Sequence, residues 1–290
     1  MDLPAAVRAK IEGTFGKFGS EWVGRFPEFL RLAQERWGLS HIEPFHNLSY
    51  HFVASARMGG RDVVLKLGVP SEEFFAEASA IRAFAGACVE LIDVSRDIAA
   101  MLLERAIPGT ALESTWNPTI DNECTEVIAQ AMAKVWQPCL AKGFPSLKNW
   151  AKEIASVDAL APFRTKAAAC LYDLEEVGEP MLLHGDLHHG NVLRHGSGYK
   201  VIDPKGVIGD RAFEVYALLR NPVRAPDTFL LDRFSSRIDI VSLATGLSRK
   251  RLLKGAFLGS LISCAWSFEE NGSVPNGDLE LTRRIEAAIC

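Results

Sequence analysis

The chain has 290 residues, 48% of them hydrophobic and 23% charged, which is ordinary for a soluble globular protein and long enough for two lobes. A formal net charge of −4 argues against a nucleic-acid binder, which carries a basic surplus, and is compatible with a cationic small-molecule partner. No apolar run reaches membrane-spanning length, and MDLPAAVRAKIEG at the start lacks a signal-peptide core, so the expected location is the cytoplasm with no membrane partner. Six cysteines, at 88, 124, 139, 170, 264 and 290, have no C-x-x-C spacing and read as reduced core thiols.

In WVGRFPEFLRLAQERWG, Trp22, Phe26, Phe29, Leu30, Ala33 and Trp37 recur at helical intervals. Pro27 is expected to open this helix and Gly38 to end it. YHFVASAR and RDVVLKLG flank Met58-Gly59-Gly60 and predict a β-hairpin. Ser71 then caps a helix with Glu72 and Glu73 in its first turn, where the helix dipole favours carboxylates. VELIDV and IAAMLLERA predict two more strands, so residues 1–105 form an N-terminal helix plus a β-rich lobe.

Beyond IPGT the pattern becomes helical, over 120–141, 146–156 and 162–176. A short β segment follows, MLLHG and then NVLRHGSGYKVID, with a hairpin turn at Gly196 and Gly198. Helices are expected again near 210–220, 229–245, 249–268 and 278–289, making 106–290 a mainly helical second lobe. The fold class expected is α+β.

HGDLHHGN, residues 184–191, stands between the apolar segments MLL and NVL, so its polar groups are supported on both sides. If the strands around Gly196–Gly198 pair, Asn191 and Asp203 come to one end of the hairpin. An amide oxygen and a carboxylate are hard donors that suit Mg²⁺. Asp186, five residues before Asn191, would stand beside that metal and accept a proton from a hydroxyl. The competing reading of the loop is a zinc site built from His184, His188 and His195, but no cysteine or acid completes a recognisable spacing. His188 reads as a loop-packing residue and His189 as a solvent- or substrate-side group.

The pattern His184-Gly-Asp186-Leu-His188-x-x-Asn191 followed by Ile202-Asp203 resembles the HGDxxxxN…ID motif of aminoglycoside phosphotransferases and choline-kinase-like enzymes. The longer string LLHGDLHHGNVL…VIDPKGVIGDRAFEVYALLRNP is more narrowly similar to the streptomycin 6-kinase and hydroxyurea phosphotransferase group, over about residues 40–270. This resemblance implies a bilobal protein-kinase-like fold and transfer of phosphate from ATP, with Mg²⁺, to a small-molecule hydroxyl. It implies that Asp186 aligns the acceptor, that Asn191 and Asp203 hold Mg²⁺, and that His184 orients the loop. It further implies Lys66 on the α/β-phosphates, steadied by Glu77, with Ser49 in the phosphate-covering loop FHNLSYHF. That loop lacks the G-x-G-x-x-G of protein kinases. Backbone groups from Glu104 to Ala106 would meet the adenine edge, and Glu214 would steady the catalytic loop. Glu269 and Glu270, after the apolar helix, are candidates for binding cationic amines or simply a solvated helix end. The acceptor expected is an aminoglycoside such as streptomycin, or hydroxyurea. A metabolic kinase for an amino alcohol or sugar is the alternative, and a nucleotide-binding pseudokinase the reading from outside enzymes.

Overall fold

The computed structural model describes residues 3–46, 48, 50–138 and 143–289, and the chain divides into two compact units, the first ending at Gly109 and the second beginning at Thr110.

The first unit opens with α1 (Ala5–Trp37), broken at Gly16, whose φ of 53° and ψ of −129° are not helical. Pro27 does not open this helix but lies within it. A proline there removes one backbone hydrogen bond. The apolar stripe of Trp22, Val23, Phe26, Phe29, Leu30 and Ala33 is buried on both sides of it, and that burial holds the helix together. Gly38 ends the helix in the left-handed conformation as expected.

A five-stranded antiparallel sheet follows, built from β1 (Leu39–Pro44), β2 (Phe52–Met58), β3 (Arg61–Leu67), β4 (Leu91–Ser95) and β5 (Ala100–Glu104) in the order β1-β2-β3-β5-β4. Alternation along the strands sorts residues by face. Phe52, Ala54, Ala56, Val63, Leu65, Leu67, Ala100 and Leu102 bury against α1, and Phe26 meets Phe52 edge-on at 4.9 Å. Lys66, one position out of step, is thereby turned to the opposite face. There α2 (Glu72–Ala83) begins at Ser71, whose hydroxyl accepts from the Phe74 N–H at 3.1 Å.

In the second unit two small sheets carry the polar loops. One has the order β10-β9-β6, where β6 (Pro108–Ala111) is the strand in which the chain passes between units. The other has the order β11-β8-β7. The helices begin with α3 (Leu112–Thr115) and α4 (Asp121–Val135). The last of these stops short of the expected residue 141, because Trp136 turns extended and β7 (Gln137–Pro138) pairs with the strand at Met181–Leu182. Similarly, α5 (Leu147–Ala151) tightens into a 3-10 turn over Lys152–Ser156, where a continuous helix was expected. Next come α6 (Arg164–Val177), β8 (Met181–Leu183), β9 (Val192–His195), β10 (Gly198–Val201) and β11 (Val207–Gly209). The unit ends with α7 (Val215–Leu219), α8 (Asp227–Thr245), α9 (Arg249–Asn271) and α10 (Asn276–Ala288). From Leu252 to Ala265 all but Lys254 of α9 are buried, so this helix is apolar all round and forms the centre of the unit. Cys88, Cys124, Cys170 and Cys264 are buried thiols, as expected, while Cys139 and Cys290 lie outside the described residues. Among the described residues no helix is long and apolar enough to cross a membrane.

Candidate active site

On the α2 face of the first sheet, the Lys66 ammonium donates to both carboxylate oxygens of Glu77, at 2.7 and 2.8 Å. Their side chains are only 5% and 9% exposed, so the pair is desolvated and geometrically fixed. Strand alternation and the cap at Ser71 together produce this contact. Glu72 and Glu73 sit in the first turn of α2, ahead of it. Ser49 lies outside the described residues. At the end of β5 the Glu104 N–H donates to the Glu90 carbonyl at 2.9 Å, and the Glu104 carboxylate accepts from the Glu90 N–H at 3.0 Å. This pairing engages that one donor of the segment Glu104 to Ala106. Ala106, two residues on, is buried.

In the second unit, β8 delivers His184 and Asp186 to a strand end, as expected from the apolar run that leads into them. Three sets of hydrogen bonds hold the loop. Glu214, in a 3-10 turn before α7, accepts from the N–H groups of His184 and Gly185, both at 2.8 Å. The His184 carbonyl accepts from the N–H groups of Lys205 at 2.9 Å and Gly206 at 3.2 Å. The His184 ring bridges two strands: Nδ1 accepts from the Asp186 N–H at 3.2 Å, and Nε2 lies 2.9 Å from the Ile202 carbonyl. A carbonyl only accepts, so the ring proton sits on Nε2. Complete burial pushes the His184 pKa down to about 4, keeping the ring neutral as this pattern requires.

Asp186 is clamped from its other side as well. Its carbonyl accepts from the Asn191 side-chain amide at 2.9 Å, which leaves Asn191 Oδ1 for another ligand. His188 Nδ1 accepts from the Gly190 N–H at 3.0 Å and closes the turn His189–Asn191, while its Nε2 stands 4.0 Å from Asp186 Oδ1. The Asp186 carboxylate itself is 39% exposed: its backbone is fixed and its side chain faces solvent. The Ile202 N–H donates to the Asn191 carbonyl at 3.0 Å, and Val192 pairs with Val201, so Asn191 and Asp203 do share the open end of the hairpin. Asp203 is exposed and holds a φ of 55°, a left-handed conformation that an aspartate tolerates better than most residues but that costs backbone energy.

One histidine departs from expectation. His189 is completely buried rather than facing solvent or substrate, with neither ring nitrogen hydrogen-bonded among the described residues. The turn tucks it inward, edge-on to Trp116 at 6.4 Å, and burial, followed by the Arg237 charge, pushes its pKa down to about 3. The zinc reading also fails on geometry: both nitrogens of His184 and one of His188 are taken by the backbone. Among the described residues no group of three or more His, Cys, Asp or Glu could hold a metal. Glu269 and Glu270 lie inside the last turn of α9, not beyond it, and are exposed. The apolar pattern ends before the helix does, because Gly272 sets its stop.

Burial raises the Glu214 carboxyl to about 7, against the lowering effect of its two N–H donors. A carboxyl raised above its unfolded value stabilises the fold below that unfolded value and loses the contribution as pH rises through 7. Wild-type stability relative to Glu214→Gln should therefore increase by up to ~3 kcal/mol between pH 7.5 and pH 4.5 in urea melts. A difference that stays flat across this range rules out a desolvated, titrating Glu214.

Sequence reading missed Gly185 and the ion pair below the loop. Gly185 has a φ of 83°, and a Cβ there would stand 3.0 Å from Trp150 and 3.1 Å from Val207. Beneath the loop, Arg237 and Asp121 are fully buried and joined at 2.5 and 3.1 Å. Trp116 donates its indole N–H to the same carboxylate at 2.8 Å. The signal was an Asp at a helix start and two arginines one turn apart on a single helix, Arg233 and Arg237, both of which reach Asp121.

With this geometry in place, residues 36–272 match the family described as aminoglycoside/hydroxyurea antibiotic resistance kinase. A hydroxyurea phosphotransferase of Kitasatospora aureofaciens is 33% identical over 273 residues, covering 88% of this chain and 77% of the relative. A streptomycin 3''-kinase of Klebsiella pneumoniae is 30% identical over 254 residues, covering 80% of this chain and 90% of the relative. Among solved structures, a thermostable mutant of aminoglycoside phosphotransferase APH(4)-Ia, in ternary complex with ADP and hygromycin B, has a TM-score of 0.62. It is 18% identical, and the match covers 89% of this chain and 97% of that one. The protein-kinase-like fold, the paired Lys66 and Glu77 and the clamped Asp186 loop thus come with sequence similarity over most of the chain: it belongs to the aminoglycoside/hydroxyurea antibiotic resistance kinase family.

Proposed function

We propose that this chain transfers the γ-phosphoryl group of ATP to a hydroxyl of a small molecule, hydroxyurea or a streptomycin-type aminoglycoside. The observation that carries the reading is the clamp on Asp186: the backbone is held at N–H and C=O, and the carboxylate remains exposed. Such a group can accept a hydroxyl proton without reorganising first, and positioning supplies much of the rate in phosphoryl transfer.

In this reading the acceptor oxygen attacks the γ-phosphorus, the bond to the β-phosphate oxygen breaks, and ADP leaves. Asp186 orients the hydroxyl and takes its proton. His184 and Glu214 hold the loop through its backbone. Lys66, held by Glu77, binds the α/β-phosphates. The donors at the hairpin end fit Mg²⁺: Asn191 Oδ1 and the exposed Asp203 carboxylate are two hard oxygens, leaving positions for phosphate and water. When bound there, Mg²⁺ supplies charge neutralisation to the phosphates. Glu269 and Glu270, exposed at the end of α9, are proposed to attract a cationic acceptor. Changing both to Ala should raise KM for streptomycin with kcat unchanged, and wild-type kinetics in that variant would remove them from the site.

The test is acceptor-dependent ADP release by the purified protein over a panel of streptomycin, hydroxyurea, choline and simple sugars. Phosphorylation of hydroxyurea or streptomycin is expected, identified by mass. ATP binding with no acceptor-dependent ADP would favour the pseudokinase reading. Lys66→Met should lower kcat/KM for ATP by about 10²-fold, as loss of one charged contact to the reacting phosphates typically does. Unaltered ATP kinetics would remove Lys66 from the nucleotide site.

A further inference from the structure

Lys205, in the stretch IDPKG, has no task in the reading above. Its backbone N–H donates to the His184 carbonyl at 2.9 Å, which fixes its Cα beside the loop that carries Asp186. The stem starts against that loop, since a Cβ on Gly185 would stand 3.5 Å from Lys205 Cβ. The far end is held too: Lys205 Nζ lies over the Trp266 ring, 4.8 Å from its centroid. Trp266 in turn packs edge-on against Trp150 at 5.0 Å, and Trp150 is the residue that closes on Gly185. A long flexible side chain is thus anchored at both ends. A ring under an ammonium fixes where the charge sits.

The stem of this side chain lies next to a particular segment. Gly185, against the stem, is followed directly by Asp186, and Asp203 lies two residues before Lys205. In phosphoryl transfer the group in flight lies between the hydroxyl aligned by the first carboxylate and the cation site of the second. Its equatorial oxygens carry the negative charge that must be stabilised there. Lysine suits this as a point charge with three donors, where recognition of a planar carboxylate would favour arginine.

We propose that Lys205 is a catalytic residue that contacts the oxygens of the phosphoryl group during its transfer, the ammonium being seated for this by Trp266. The inference rests on the phosphotransferase reading. The bond changes are those of the transfer itself: the acceptor O–P bond forms, the bond to the ADP oxygen breaks, and the acceptor proton goes to Asp186. Lys205 stays protonated throughout and stabilises charge without donating a proton.

Lys205→Met keeps the length and apolar stem and removes only the charge. Its kcat should fall by about 10²-fold with both neutral hydroxyurea and cationic streptomycin, whichever of them the wild type uses. KM for ATP and acceptor should stay within roughly threefold, the signature of an interaction made in the transition state. Lys205→Arg should recover most of the lost rate. If the methionine variant does not fold by circular dichroism, Lys205→Gln carries the same comparison. Unchanged kcat overturns the proposal, as does a loss confined to the KM of one acceptor, which would make Lys205 an acceptor-recognition residue. A wild type that phosphorylates no acceptor overturns the phosphotransferase reading and this proposal together. An active wild type with an equally active Lys205→Met overturns this proposal alone.

Discussion

Asp186→Asn is expected to reduce turnover by at least about 10²-fold, the lower end of what a positioned general base supplies. Nucleotide affinity, measured by calorimetry, should be nearly unchanged. The reason is structural as much as chemical. Asparagine is close to isosteric, and the contacts that position residue 186 are backbone ones, its N–H to His184 Nδ1 and its C=O to the Asn191 amide. The substitution therefore removes the proton acceptor while leaving the loop as built. Retention of more than about a tenth of wild-type turnover would sink the role assigned to Asp186, because geometry alone would then account for the rate.

The second large effect is on stability, away from any reacting atom. Asp121 and Arg237 are both completely buried, and neither ion has solvent to fall back on. Arg237 also donates to the carbonyls of Leu218 at 2.7 Å and Asn221 at 2.6 Å, so this one guanidinium links α4, the end of α7 and α8. Removing one partner strands the other's charge. Asp121→Ala should cost ~3–5 kcal/mol, read from urea unfolding. That corresponds to a fall in Tm on the order of 10 °C. Asp121 also accepts from Trp116, the ring that packs on His189 in the catalytic loop, so the variant should lose loop order along with stability. If Asp121→Ala melts within about 1 kcal/mol of wild type, the pair is not the desolvated link described here.

The chemistry-bearing loop was legible because its signal is local. MLL and NVL are apolar runs that must pair, so they present Asp186 and Asn191 at strand ends whatever surrounds them. Lys66 and Glu77 were legible through the family resemblance, and the helix start at Ser71 oriented Glu77 towards the sheet. Pro27 and the end of α4 were misjudged where burial or strand pairing outweighed a local preference.

The sequence by itself determined the fold class, most of the longer helices, the hairpins and the family to which the chain belongs, since these follow from periodicity, turn residues and a contiguous motif, while β6, β7 and β11 came only with tertiary pairing. Which histidine faces what was a different matter. His184, His188 and His189 lie within six residues, yet one is a neutral backbone brace, one closes a turn beside Asp186, and one is buried against Trp116. Nothing local separates them. Their states depend on desolvation and on partners far along the chain, Ile202 for the first and Trp116 and Arg237 for the last. The same holds for Lys205, whose charge is placed by an aromatic ring on α9. Position in a motif is a property of neighbours in sequence. Charge state and aim are properties of neighbours in space, and only the tertiary structure decided those.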